Sequence, residues 1–267
     1  MTNREIKRRI LSVRETVKIT KAMYSISVAK MIAAKSALAD AERYRDGCLS
    51  VLRSLAPAFS ESPFLYREGK RVGFLVIAAD KGLCGDHNLA VFERAKAEIA
   101  AAEERYLFTM GNVLHDLFTK AGYEIDMEYL RFSSSYTAAE TIADDVLYLY
   151  EKDMLDEVKV VYADGAANEV RVVTLLPFEE VGKSPVEVFP KSQATLLKCV
   201  RNYMISSLRY ALVTSALAEN KARARMMSQS TDNAEEMIKD LTAKYNRVRQ
   251  ESITRALQDA SVTDGEI

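Results

Sequence analysis

Long apolar runs are missing from this 267-residue chain. A membrane-spanning helix needs about 20 consecutive apolar residues, and charges interrupt every candidate stretch, so any membrane association is expected to be peripheral. Cysteine is scarce. Cys48, Cys84 and Cys199 lie far apart with no metal or redox spacing, which excludes a disulfide scaffold and a zinc ribbon and sets the expectation of reduced thiols in a cytosolic protein. Histidine occurs only at His87 and His115, too few for a histidine-rich metal site, and each is expected at a surface or a helix cap. Tryptophan is absent, and the net charge of −1 excludes a chain that is basic throughout. Proline occurs five times and glycine ten, and neither occurs between Lys191 and Asp264.

That gap organises the rest. Pro190 precedes the stretch and Gly265 follows it. Globular helices average about 11–12 residues, so an uninterrupted helical pattern of this length points to a coiled coil, a membrane span or a helical repeat. The membrane is excluded and no repeat is visible. A long water-exposed helix remains, on the order of 100 Å at about 1.5 Å per residue, and such a rod needs a partner along its length.

The partner is expected at the other end of the chain. From an N-cap near Asn3, apolar or small residues step by four and three through Ile6, Ile10, Val13, Val17, Thr20, Tyr24, Ser27, Met31, Ala34, Leu38 and Ala41, a heptad seam. It continues through Cys48, Leu52 and Leu55, is weakened at Gly47 and ends at Pro57. Ala234, Ile238, Leu241, Tyr245 and Val248 repeat the step, and Ile253, Ala256 and Ala260 carry it on after a phase shift. Two terminal seams without a third predict an antiparallel coiled coil with the middle of the chain inserted between its strands. The division expected is 1–57 for the first helix, 58–190 for the inserted domain and 191–267 for the second helix.

Charge follows the same division. From Met1 to Ser36 nine Lys/Arg face Glu5 and Glu15, and from Lys221 to Arg255 eight Lys/Arg face five Asp/Glu, so the remainder carries −11. Basic terminal helices suit either phosphate neutralisation on a nucleic acid or a place inside an assembly that presents acidic surfaces. A solvated face explains any single Lys or Arg. Aromatic or groove-reading motifs that would favour nucleic acid are lacking.

The middle alternates strand and helix: a strand at 71–79, a glycine-punctuated loop at 80–88, a helix at 89–104, a strand at 106–110, a helix to Ala121, a strand at 123–132, a capping loop at 133–135, a helix at 136–152, then strands at 158–163 and 170–177 turning near Asp164-Gly165. Phe178 to Pro190 reads as a linker. Alternating units predict an α/β layer on a mostly parallel sheet, Rossmann-like, with a final hairpin.

Gly82-Leu83-Cys84-Gly85 lies where a strand meets a helix, the place where phosphate binds in nucleotide folds. No Lys-Ser/Thr pair follows, so it is not a P-loop, and a structural turn and a ligand site stay open. Cys84 would be a nucleophile only with a base beside it, and His87 has no orienting third group. Asp144-Asp145 reads as a solvated helix face, and Met23, Met31 and Met226-Met227 as seam or core residues. Two competing readings are a coiled-coil tether and a small nucleotide-binding enzyme.

Three stretches together resemble the gamma subunit of F-type ATP synthases: Ile19-Thr20-Lys21-Ala22-Met23 with Ala29-Lys30-Met31; Asp80-Lys81-Gly82-Leu83-Cys84-Gly85 with Asn88; and Ala218-Glu219-Asn220, Ala222-Arg223, Thr231-Asp232-Asn233-Ala234, Tyr245-Asn246, Arg249-Gln250 and Ser252-Ile253-Thr254. The resemblance covers essentially the whole chain. It implies an antiparallel coiled coil with an α/β domain at its foot, acting as a central rotor shaft inside three alpha and three beta subunits. The foot would join the epsilon subunit and the membrane c ring, and ion flow would drive ATP synthesis in the beta subunits. It implies no catalytic residue, cofactor, metal or nucleic-acid partner on this chain. Contacts with beta are expected at Lys21, Met23, Arg249, Gln250 and Thr254, and a c-ring contact at Tyr203. The absence of a leader ahead of the first helix suggests a bacterial protein on the cytoplasmic face of the cell membrane.

Overall fold

The computed structural model describes residues 2–129, 135–179 and 191–263. Helix α1 (Asn3–Leu55) and helix α5 (Gln193–Thr263) flank helices α2 (His87–Ala100), α3 (Asn112–Lys120) and α4 (Ser135–Glu151) and strands β1 (Arg71–Ile77), β2 (Glu104–Met110), β3 (Met127–Tyr129), β4 (Glu157–Asp164) and β5 (Glu169–Leu176). The chain divides into two compact units, residues 1–27 with 224–267 and residues 28–223. The expected coiled-coil segments therefore each contribute to both units.

The larger unit is built on a five-stranded sheet of order β3-β2-β1-β4-β5. The first four strands are parallel and β5 returns antiparallel to β4. β1 is buried along nearly its whole length, as a strand covered on both faces must be, and its apolar run follows from that. Alternate side chains serve opposite layers. Val72, Phe74 and Val76 pack with Val91, Phe92, Ile99, Leu114 and Phe118 of α2 and α3. Leu75 and Ile77 face the other layer, where α4 (Ile142, Val146, Tyr150), the foot of α1 (Leu52) and the foot of α5 (Leu196, Val200, Met204, Leu208) close the core. Each fully buried Leu, Ile or Phe contributes about 1.5–3 kcal/mol by leaving water.

Polar contacts fix the sheet ends. Asp156 takes a fork from Arg71 (Nε 2.8 Å, Nη2 2.7 Å). Gly69 lies so near that a Cβ there would sit 2.1 Å from the Asp156 side chain. Tyr150 donates to the Pro63 carbonyl at 2.8 Å, while Arg67 lies 4.2 Å over its ring.

The strands and helices lie within a few residues of the sequence expectations, with instructive differences. α1 runs unbroken through Gly47 and stops at Leu55, where a short 3-10 turn (Ala56–Phe59) with Pro57 at its start takes over. Its cap is Thr2 rather than Asn3: Glu5 N donates to Thr2 Oγ1 (3.3 Å) and Thr2 N to Glu5 Oε2 (2.8 Å), a reciprocal capping box. The strand expected from Tyr123 begins only at Met127. Tyr123 is drawn instead against Phe118 (ring centroids 5.6 Å), and Asp126 turns its carboxylate to accept the Leu107 N–H at 2.7 Å. The parts of the expectations falling on 130–134 and on the linker 180–190 lie outside the described residues. Ser192 caps α5 by accepting the Thr195 N–H at 3.2 Å.

Candidate functional site

In the smaller unit the two long helices run antiparallel. Thr20 and Thr231 share a 2.7 Å hydroxyl hydrogen bond, and Lys21 Nζ lies 2.7 Å from Glu235 Oε1. Ile6, Ile10, Thr20 and Ser27 of α1 and Ala224, Met227, Thr231 and Ala234 of α5 are buried, and Ile238, Leu241, Tyr245 and Val248 are partly so. The seam hydroxyls do not go unsatisfied: Ser27 donates to Met23 O at 2.8 Å and Thr231 to Met227 O at 2.8 Å. A polar pair inside an apolar seam favours one register, because slipping it gives up the cross-helix hydrogen bond and sets both hydroxyls against apolar side chains.

Two seam expectations are corrected. Tyr24 is 43% exposed. The hydroxyl-to-hydroxyl contact at Thr20 holds the backbones too close for a phenol ring four residues on, and the ring turns outward while Met23 is half-buried. Ile253 is 51% exposed. The seventeen residues from Thr20 back to Asn3 bring the start of α1 level with Val248, seventeen residues beyond Thr231. No α1 residue therefore stands opposite Ile253. From Arg249 to Arg255 every side chain is exposed. Ala256 and Ala260 have side chains outside the described residues. α5 thus outruns α1 as a single basic-ended helix.

The expected contact residues fall into two places. Lys21 and Met23 lie on α1 beside the seam, and Arg249, Gln250 and Thr254 lie on the projecting part of α5, where Thr254 donates to the Gln250 carbonyl at 3.0 Å. Tyr203 is in the larger unit, 7% exposed, with its ring 5.1 Å from that of Phe178 at 72°. Burial pushes its phenol up to about 12.

The glycine loop after β1 is held from α5. Arg223, 8% exposed, donates through Nη2 to the carbonyls of Lys81 (3.0 Å) and Gly82 (3.3 Å), and its Nη1 lies 2.6 Å from Glu219. Asn88 closes the loop, accepting the Ala79 N–H at 3.0 Å and donating to Cys84 Sγ at 3.4 Å. Leu83 takes a positive φ of 62° and stands 62% exposed at the tip. Cys84 is buried, and burial raises its thiol, the reverse of what a nucleophile needs. His87 stands at the start of α2, in keeping with the helix-cap half of its expectation, with Nε2 buried and without a hydrogen-bond partner among the described residues. Burial first, and the Arg223 cation second, lower its pKa to about 4. Loop carbonyls turned to an internal guanidinium do not cradle a phosphate.

A second anchor ties the hairpin to α5. Asp164, 1% exposed, accepts from the Ala166 N–H (2.8 Å) and the Thr214 hydroxyl (3.0 Å). Lys221 donates to the Gly165 carbonyl at 2.8 Å. A Cβ on Gly165 would meet Ala218 N at 2.6 Å and Thr214 O at 2.7 Å. Asp144 is likewise engaged, paired with Arg201 at 2.6 Å, and Asp145 accepts from Tyr129 at 3.3 Å, so the acidic pair is not an idle face. These knots escaped the sequence reading. Their only sequence signals were the i,i+4 pair Glu219/Arg223 and the Asp164-Gly165 turn.

This fold, an α/β domain and an antiparallel pair of long helices, is similar to that of solved ATP synthase stalks. The rotor of the Euglena gracilis mitochondrial ATP synthase superposes with a TM-score of 0.68 at 16% identity, covering 94% of this chain and 98% of that one. The central stalk of the Tetrahymena thermophila mitochondrial enzyme gives 0.62 at 20% identity, over 79% of this chain and 98% of that one. These likenesses speak to fold. Sequence is more specific. A family model described as ATP synthase matches residues 2–260. The ATP synthase gamma chain of Heliobacterium modesticaldum is 34% identical over 277 residues, 96% of each chain. That of Pelotomaculum thermopropionicum is 35% identical over 271 residues, covering 96% of this chain and 95% of the relative. The chain belongs to the ATP synthase gamma chain family.

Proposed function

We propose that this chain is the central rotating stalk of an F-type ATP synthase. It couples proton or sodium flow through a c ring to ATP synthesis or hydrolysis in a collar of three alpha and three beta subunits. It is not itself an enzyme; catalysis belongs to the beta subunits. The observation that carries the reading is the helix pair in which α5 projects past the start of α1. Such an end is asymmetric about its own axis, and an asymmetric shaft in a three-fold collar makes three identical sites differ. This is coupling between sites through a partner's two-state element.

Lys21, Met23, Arg249, Gln250 and Thr254 meet acidic lever segments of the beta subunits. The first pair acts from the two-helix part and the last three from the single-helix part. The exposure of Lys21, Arg249, Gln250 and Thr254 supports this, since a bearing surface must be free to exchange partners, while Met23 is half-buried. The larger unit is the foot, joined to an epsilon subunit and the c ring. Tyr203 is the c-ring contact by resemblance, but at 7% exposed its ring offers a neighbouring subunit little surface. The three segments 1–57, 58–190 and 191–267 are respectively the first shaft strand, the foot and the second shaft strand. Among the described residues no helix is long and apolar enough to cross a membrane. The complex places the chain peripherally at a cell membrane, on the cytoplasmic side. No cofactor and no nucleic acid take part.

Native mass spectrometry of the chain co-expressed with its own alpha and beta subunits, with ATPase activity on the same sample, tests this. One copy per three alpha and three beta subunits is expected, with a turnover that changes on Arg249→Ala or Gln250→Ala. A stable tether without these subunits, or several copies per complex, refutes it.

A further inference from the structure

Among the cavities that the stalk reading leaves without a task, one has a distinctive wall. It lies in the larger unit between the β4–β5 hairpin and the feet of α1 and α5, and holds about 260 Å³. Its polar wall is made of Arg45, Arg171, Tyr162, Tyr203, Tyr210 and Ser207. Every one of these can donate a hydrogen bond, and no carboxylate lines the space. Some donors are already engaged. The Arg45 guanidinium lies 3.9 Å from the centroid of the Tyr210 ring, and its Nη2 is 2.8 Å from Asp46. Arg171 spends its Nε on Asp164 (3.1 Å) and Glu169 (2.9 Å). Its Nη1 and Nη2 make no hydrogen bond among the described residues, nor does the hydroxyl of Tyr162, a residue only 4% exposed. Buried tyrosines ordinarily find an acceptor, so this wall lacks one.

We propose that this cavity binds a monocarboxylate on a small apolar body, with the acceptor oxygens held by the Arg171 fork and the Tyr162 hydroxyl and the body packed against the Tyr210 side of the wall.

Size and charge narrow the ligand. Drug-sized and cofactor pockets occupy about 300–1,000 Å³, so a nucleotide does not fit, but a ring bearing one carboxylate does. A guanidinium end matches a carboxylate in two parallel bonds. Asp46, Asp164 and Glu169 offset the charge of the two arginines, so donor geometry and not net charge must hold the ligand, and a phosphate dianion is disfavoured more than a monocarboxylate. Burial pushes the Tyr162 phenol up to about 12, so it stays a donor at neutral pH. The carboxylate can come from a free acid or from an acidic side chain of a neighbouring subunit.

Titration of the isolated full-length chain with benzoate, followed by protein-observed NMR, decides the matter, with inorganic phosphate as the comparison anion. Saturable binding is expected, with phosphate at least tenfold weaker. Arg171→Gln should weaken benzoate binding by about tenfold or more, as loss of a charge-assisted pair does. Tyr162→Phe, which keeps the ring, should weaken it by a smaller factor. If Arg171→Gln does not fold, Tyr162→Phe carries the test alone. Benzoate binding kept in the assembled complex identifies a free acid as the natural occupant, and binding lost there identifies a neighbour's side chain. No saturable binding, binding untouched by the variants, or phosphate binding as well as benzoate overturns the proposal.

Discussion

Arg223→Ala is the perturbation whose cost the structure defines most fully. The guanidinium is nearly out of water and serves three acceptors: the carbonyls of Lys81 and Gly82 and the Glu219 carboxylate at 2.6 Å. Truncation removes the donors and leaves the acceptors in place. Hydrogen bonds to a charged group contribute about 1.5–3 kcal/mol each, and removing one partner of a buried ion pair costs about 3–5 kcal/mol. Glu219 retains 23% side-chain exposure, so water relieves part of its loss. The whole effect should therefore be about 3–5 kcal/mol, not the sum of the contacts. Urea unfolding of the isolated chain measures it. Amide hydrogen exchange locates it, with protection falling first at Leu83 to Asn88. The same variant should raise the His87 pKa, because Arg223 is the second cause of its depression after burial. A loss below about 1 kcal/mol with unchanged exchange in the loop would refute the clamp.

Gly165→Ala should destabilise the larger unit by at least about 1–3 kcal/mol, since its Cβ meets backbone atoms of α5 that cannot swing away; thermal unfolding reads this directly. Thr231→Val keeps the shape but removes the hydroxyl that pairs with Thr20, and should cost about 0.5–1.5 kcal/mol, because Thr20 still has the Val17 carbonyl at 3.1 Å to donate to. Thr20→Val/Thr231→Val together should recover much of that, which a double-mutant cycle by urea unfolding would reveal. His87 is neutral in the fold, with its pKa lowered from 6.5 to about 4. The unfolded chain takes up the proton first, so stability is level above pH 6.5 and falls as pH drops from 6.5 toward about 4, by up to about 3 kcal/mol. His87→Gln should remove that part of the acid sensitivity in unfolding curves taken across this window. Lys21→Ala breaks an exposed ion pair and should change stability by only about 0–1 kcal/mol, while altering ATPase turnover of the assembled complex.

Heptad arithmetic made the helix pair legible, because Ile6, Ile10, Val13 and Val17 must share a face whatever follows. Strand positions were legible because β1 and β4 are covered on both sides and so are apolar throughout. What period could not convey was where one partner ends. Ile253 satisfies the apolar pattern, yet α1 starts too late to meet it. Nor could spacing weigh a phenol against two threonines that draw the backbones together, which is why Tyr24 turned out. The buried knots, Asp164 with Thr214 and Arg223 with the Gly82 carbonyl, join residues 50 and 141 positions apart in the chain. A charged residue in a sequence looks the same whether water or a loop carbonyl satisfies it. The contact residues came from resemblance alone; the exposure of Lys21, Arg249, Gln250 and Thr254 is compatible with that assignment without producing it, whereas Met23 is half-buried and Tyr203 buried.

The most direct test of the central claim is to watch the foot turn. A fluorescent or gold reporter coupled to a cysteine introduced at exposed Lys120, in a background with the three native cysteines replaced, would report motion while the alpha and beta subunits are fixed to a surface. The account predicts unidirectional rotation on adding ATP, in three equal steps per turn, slowed or made irregular by Arg249→Ala with Gln250→Ala. ATP hydrolysed at full rate with the foot stationary would contradict it.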